Sequence, residues 1–175
     1  MNILLHSCCG PCASACVPRL KEDGHEVVMF FANSNIDTKD EFDKRLAEAR
    51  KVAAAEGVEL VALEYDHEEW LKEVAQGLEQ EPEKGRRCAK CFAYNLGKAA
   101  AKCAELGLDG YTTSLTVSPH KVSAMIFAAA RSCDSGSGFL ACDFKKQDGF
   151  KKSLERAAAL GLYRQSYCGC EFSKR

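Results

Sequence analysis

The residues in this chain best suited to chemistry are its 11 cysteines, and their spacing sorts them. Cys8, Cys9 and Cys12 fall within Cys8-Cys9-Gly10-Pro11-Cys12, just after the apolar run Ile3-Leu4-Leu5. A strand-to-helix turn at that point supplies backbone N–H groups and the positive end of a helix dipole, and both favour thiolate. Gly10 lets the backbone approach a neighbour closely. Cys88-Ala89-Lys90-Cys91 is a Cys-x-x-Cys pair behind a basic, glycine-containing loop. Such a pair fits zinc, thiol–disulfide exchange or half of an iron–sulfur site. With Cys8 and Cys9 it makes a set of four thiolates, the number a cubane cluster takes. Adjacent cysteines are unusual around a single tetrahedral zinc, so spacing favours a cluster and leaves zinc open. Cys168-Gly169-Cys170 permits a strained, easily reduced disulfide acting as a redox pair; further metal ligands or an inert tail are the other readings. Cys103, Cys133 and Cys142 read as core filling, and Cys16 is undecided. Of the histidines, His6 reads as structural, His25 and His67 as turn residues, and His120 as facing the site.

Composition sets the context for these thiols. No basic-then-apolar leader is present, and no apolar run is long enough to span a bilayer. A cytoplasmic protein is expected, where thiols bind metals or catalyse instead of forming a disulfide framework. The net charge of −1 hides an asymmetry: residues 37–81 carry 6 Lys/Arg against 14 Asp/Glu, whereas residues 84–102 carry 6 Lys/Arg and no acid, and 144–175 carry 8 against 3. Basic segments around reactive cysteines suit an anionic partner such as nucleic acid; solvated helix faces are the plainer reading.

The elements that must position the cysteines alternate. Strands are expected at Asn2–His6, Glu26–Phe31, Glu59–Leu63, Tyr111–Thr113 and Phe139–Cys142. Helices are expected from about Cys12 to Lys21 with Pro18 as a kink, after a Thr38 or Asp40 cap, around Glu68–Gln76, from Cys88 to Leu106, from Pro119 with Val122 facing inward, and over Gly149–Leu160. This pattern predicts an α/β fold: one domain over 1–175, a mostly parallel five-stranded sheet with helices on both faces, and a tail over 162–175. Functional loops then sit at the carboxyl ends of the strands, where Cys8-Cys9, Asn33-Ser34-Asn35, Ser114 to Ser118 and Asp143 all fall.

Together these motifs resemble the cobalamin-independent epoxyqueuosine reductase family, QueH. The resemblance runs from Leu4-Leu5-His6-Ser7-Cys8-Cys9-Gly10-Pro11-Cys12 through Asn33-Ser34-Asn35-Ile36 with Glu41 and Arg45, then Arg87-Cys88-Ala89-Lys90-Cys91-Phe92 and Thr113-Ser114-Leu115-Thr116-Val117-Ser118-Pro119. It ends at Tyr167-Cys168-Gly169-Cys170. Asp37 and Ser34 depart from the family pattern. The resemblance implies an adenine-nucleotide-α-hydrolase-like sheet and the last step of queuosine synthesis: deoxygenation of the epoxide of epoxyqueuosine in the tRNA wobble position. It implies a 4Fe–4S cluster on Cys8, Cys9, Cys88 and Cys91, and a redox-active disulfide between Cys168 and Cys170, which makes 162–175 a redox tail. It also implies an additional iron beside the cluster, for which Cys12 and Asp143 are the candidate ligands here. The partners implied are tRNA and an external electron donor. Tyr163, Tyr167 and Phe92 are candidate stackers for a flipped-out base. Two other readings compete: an ATP-dependent tRNA sulfur transferase of related fold, which would need a phosphate loop where Cys8-Cys9-Gly10-Pro11 stands, and a zinc-binding nucleic-acid module.

Overall fold

The computed structural model describes residues 1–133, 136 and 138–174; Arg175, the end of the expected tail, lies outside them. Strand β1 (Asn2–His6) is the centre of the sheet. Ile3, Leu4, Leu5 and His6 are all fully buried, as a strand covered on both faces requires. It pairs in parallel with β2 (Glu26–Phe31) on one side and with β4 (Gly110–Thr113) on the other, Leu4 lying opposite both Val28 and Tyr111. β3 (Glu59–Ala62) adds beyond β2, giving the order β3-β2-β1-β4. One face is covered by α1 (Gly10–Glu22), α2 (Lys39–Glu56) and α6 (Gly149–Ala159) around Leu5, Val17, Phe31 and Phe42. The other is covered by α4 (Arg86–Glu105) and α5 (Ser123–Cys133) around Leu4, Phe30, Leu96 and Ile126. Each such buried aliphatic side chain contributes about 1.5–3 kcal/mol.

Among the described residues the sheet has four strands, not the expected five. The segment at Phe139 runs beside β4 but makes only an isolated bridge, Tyr111 opposite Phe139. The Tyr111 amide donates to the Gly138 carbonyl and the Leu140 amide to the Tyr111 carbonyl. Beyond that, side chains take over the ladder: the Thr112 hydroxyl donates to the Leu140 carbonyl and the Thr116 hydroxyl to the Cys142 carbonyl. The Cys142 amide turns back onto Leu140.

One helix expectation holds and one changes. Pro18 lies inside α1, as expected, and α1 is packed between α2 and α6 through Ala13, Val17 and Leu20. Pro119 does not open α5; Ser118 to Lys121 is a turn, the helix begins at Ser123, and Val122 is exposed rather than inward-facing. Gly10 serves helix packing: a Cβ there would lie 2.8 Å from the backbone carbon of Glu48 on α2.

A short helix, α3 (His67–Trp70), continues as one π-helical turn over Leu71–Ala75. Trp70, Val74 and Ala75 form a small third core with Cys91, Cys170 and Phe172. All four strands run the same way, so their following loops meet at one edge of the sheet.

Candidate metal centre

At that edge lies a cavity of about 740 Å³. Cys8, Cys9 and Cys12 reach it from the β1–α1 turn, Cys88 and Cys91 from the first turns of α4, and Cys168 and Cys170 from the C-terminal segment. These are the seven cysteines whose spacing pointed to chemistry. Cys16, Cys103, Cys133 and Cys142 are not among the lining residues. Cys168 and Cys170, the expected redox pair, stand as two separate thiols.

The sulfurs of Cys8, Cys9 and Cys12 lie within 4.8 Å of one another, close enough for one ion; among the described residues no further His, Cys, Asp or Glu joins that group. Cys9 is the N-cap of α1 and accepts the Cys12 amide at 3.4 Å. Hydrogen bonds from Cys12 and Cys8 outweigh burial and hold the Cys9 thiol well below its ordinary range. The same contacts, with burial, push Cys12 well above it. Cys12 works to lower the Cys8 thiol, but Cys9 and burial hold it up at about 11. Cys9 is thus the member of the trio whose surroundings most favour thiolate. Burial raises Cys91 as well.

Each of the four sulfurs expected to hold the cluster accepts at least one hydrogen bond. The Ser114 hydroxyl donates to Cys8 at 3.3 Å and the Cys12 amide to Cys9. The Lys84 amide donates to Cys88 at 3.3 Å and the Asn95 amide group to Cys91 at 3.5 Å. Four cavity-lining residues carry buried polar atoms without a partner: Trp70 Nε1, Arg87 Nε, Asn95 Oδ1 and Gln165 Oε1. Unpaired groups of this kind cost about 1–3 kcal/mol each. They mark a wall shaped for something bound.

Several residues that composition and spacing alone do not single out build the walls. Arg45 is 2% exposed, pairs with Glu41 at 2.7 Å, and donates to the carbonyls of Cys168 (2.8 Å) and Tyr167 (3.3 Å). A Cβ on Gly169, at φ 146°, would be crowded, 3.1 Å from Asn35 Nδ2 and 3.3 Å from Arg45 Nη1. Arg87, also buried, donates to the carbonyls of Leu78, Glu79 and Glu81 and lies 4.4 Å over the Phe172 ring. The two departures from the family pattern are also structural. Asp37 accepts from the Tyr167 hydroxyl at 2.7 Å and pairs with Lys174, and the Ser34 hydroxyl accepts the Asp66 amide at 3.2 Å. Lys121 lines the cavity; burial works to lower its ammonium, and Cys168, Cys8 and Cys12 outweigh that and raise it.

The other candidates divide. His120 lines the cavity. His6 is structural: its Nδ1 meets the Thr113 hydroxyl at 2.9 Å, and burial pushes it down to about 4, so the ring is neutral. His67 is helical, stacked between Tyr65 and Trp70. Phe92 and Tyr167 line the cavity, and Tyr163 does not; its hydroxyl donates to Glu41. Asp143 is not in the lining either; its carboxylate accepts from Ser123 and from the Lys145 amide. The basic run over 84–102 is largely committed within the protein: Arg87 to carbonyls, Arg86 to Glu81, Lys98 to Glu69 and Lys102 to Glu105. Among the described residues, no helix is long and apolar enough to cross a membrane.

Comparison with known proteins fits this arrangement. The chain resembles in fold, at 13% identity, the U34-tRNA thiolase NcsA of Methanococcus maripaludis, solved with its 4Fe–4S cluster (TM-score 0.60, 100% of this chain and 62% of that one). It also resembles a predicted subunit of tRNA methyltransferase from Methanocaldococcus jannaschii, at 14% identity (TM-score 0.59, 90% and 74%). Curated relatives are much nearer in sequence. The epoxyqueuosine reductase QueH of Streptococcus pyogenes serotype M1 is 36% identical over 99% of this chain and 71% of its own length. That of Dehalococcoides mccartyi is 33% identical over 99% and 92%. The family model described as epoxyqueuosine reductase QueH matches residues 3–175. The chain therefore belongs to the QueH family of epoxyqueuosine reductases, which are oxidoreductases.

Proposed function

We propose that this chain removes the epoxide oxygen of epoxyqueuosine in the wobble position of tRNA, the closing step of queuosine synthesis, with a 4Fe–4S cluster held by Cys8, Cys9, Cys88 and Cys91. The observation that carries the reading is the convergence of seven cysteines from three separate segments on one cavity. Cys88 and Cys91 fall outside the tight group formed by Cys8, Cys9 and Cys12. A donor set spread wider than one ion can bridge suits a polynuclear group better than a single zinc. Four sulfurs that accept hydrogen bonds support the same reading, since cluster ligands are thiolates.

The reaction breaks two C–O bonds, forms a C=C bond and releases the oxygen as water, consuming two electrons and two protons. The cluster, when bound, supplies single electrons from an external donor. The rest falls to the chain. Lys121 sets a half-buried positive charge in the cavity, where negative charge on the leaving oxygen is stabilised. Phe92 and Tyr167 flank the space for the flipped-out base. The segment bearing Cys168 and Cys170 forms one wall of the cavity, held by Arg45; its two thiols form the redox pair. Cys12 is the available ligand for an additional iron. A cytoplasmic setting suits thiols that hold a cluster, and the tRNA phosphates meet cations such as Lys84 at the cavity. An adenine-nucleotide-α-hydrolase-like sheet that uses ATP needs a phosphate loop after β1; here Pro11 lacks an N–H, and α2 fills the space beside Gly10.

Anaerobic purification followed by iron and sulfide analysis tests the reading, together with turnover of epoxyqueuosine-containing tRNA under a strong chemical reductant. About four irons with matching sulfide, and turnover, are expected. One zinc without sulfide would overturn it.

A further inference from the structure

The geometry points to Ser114 and Asn95 as positioning residues that set the reduction potential of the bound cluster by hydrogen-bonding the sulfurs of Cys8 and Cys91. This rests on the cluster assignment proposed above.

Ser114 is fully buried at the first residue after β4. Its oxygen accepts the Cys8 amide at 3.0 Å, and its proton is directed at the Cys8 sulfur, 3.3 Å away. The hydroxyl thus clasps one residue at both its backbone and its side chain. Asn95 stands one helical turn after Cys91 on α4 and is 4% exposed. Its Nδ2 donates to the Asn35 Oδ1 at 3.1 Å and to the Cys91 sulfur at 3.5 Å. Its own Oδ1 is buried without a partner. A buried asparagine with an orphaned carbonyl is a poor way to fill a helix face; leucine would serve at less cost. The amide is explained by what its N–H groups do at the sulfur.

Reduction adds negative charge that spreads onto the ligand sulfurs, so every donor to a sulfur favours the reduced state and raises the potential. Cys88 receives its donor from the Lys84 backbone, and Cys9 takes the Cys12 amide together with the side chains of Cys8, Cys12 and Gln165. Ser114 and Asn95 are side-chain donors outside the proposed ligand set, so substitution removes the bond without removing a ligand.

The test is an anaerobic redox titration followed by EPR, with iron and sulfide counted on each sample. Ser114→Ala and Asn95→Leu are each expected to keep iron and sulfide at the wild-type level and to move the midpoint to more negative potential. The two shifts should add in the double variant, because the bonds fall on different sulfurs, and Ser114→Thr should restore the wild-type midpoint. Turnover should fall in kcat with KM for tRNA unchanged. A wild-type midpoint in Asn95→Leu with the cluster retained overturns the proposal. Loss of cluster from both single variants overturns it too, since that makes the residues scaffolds for the ligands. A wild-type chain that takes up no iron or sulfide overturns the cluster assignment itself, a separate and recognisable result.

Discussion

Helix α4 carries two kinds of cysteine. At its start, Cys88 and Cys91 face the cavity and accept hydrogen bonds at sulfur. Near its end, Cys103 is fully buried and points its thiol at the Leu108 carbonyl, 3.7 Å away. Cys133 on α5 likewise donates to the carbonyls of Ala129 and Ala130. The side chain is the same, and its neighbours are opposite. Where the surroundings offer N–H and O–H groups, the sulfur is placed to accept; where they offer carbonyls, a protonated thiol donates and packs as a small apolar side chain. The helix dipole points the same way, favouring negative charge at the start of α4 and disfavouring it at the end.

The sharpest way to break this contrast is to exchange members of the two groups for alanine. Cys8→Ala or Cys91→Ala should abolish iron and sulfide uptake and cut turnover of epoxyqueuosine tRNA by more than about 100-fold. Cys103→Ala should leave both intact and cost about 1–2 kcal/mol in denaturant unfolding; iron loss from Cys103→Ala would collapse the distinction. The next largest effect concerns the wall that keeps the cavity thiols in place. Arg45→Met leaves the Glu41 carboxylate buried without its partner and frees the carbonyls of Tyr167 and Cys168. A loss of about 3 kcal/mol is expected, with faster alkylation of Cys170 followed by mass spectrometry. In the wild-type chain without metal, Cys168 should alkylate first, and Cys16 and Cys103 should resist by about 100-fold or more until the chain unfolds; equal rates would show that burial does not separate the groups. The smallest effect is acid-dependent. Burial works to raise the Asp37 carboxyl, but bonds from Lys174 and Tyr167 outweigh it and lower it. The Asp37 contribution is therefore complete above the ordinary carboxylate range and is lost as the pH falls below 3.8 through the lowered value. Asp37→Asn should cost roughly 0.5 kcal/mol at neutral pH, and this difference from wild type should vanish in acid.

Much of the arrangement is legible in the sequence. Strand–helix alternation gives the parallel sheet, and Cys-Cys-x-Pro, Cys-x-x-Cys and Cys-Gly-Cys spacing separates seven cavity thiols from four others. The fifth strand fails because the hydroxyls of Thr112 and Thr116 capture its carbonyls, a competition that a hydropathy pattern does not record. The inward Val122 fails because α5 starts after it, at Ser123. Arg87 is hidden in another way. It sits in a run of cations that reads as a surface for anions, yet it is buried and spent on three carbonyls. Trp70, Asn95 and Gln165 come from different segments, and only the folded chain brings them to one wall. The signal that was available was position: Ser114 follows β4 at the edge where Cys8 follows β1.

Arg45 joins two parts of the chain that are far apart in sequence: it lies on α2, and the Cys168 carbonyl that it holds is 123 residues further on. The wall that carries Cys168 and Cys170 is therefore a long-range closure, whereas Cys8, Cys9 and Cys12 are placed by a single local turn. Loop-closure entropy makes the first arrangement the costlier of the two to form, so the C-terminal wall depends on the folded α2 and the β1–α1 turn does not depend on the C-terminal wall.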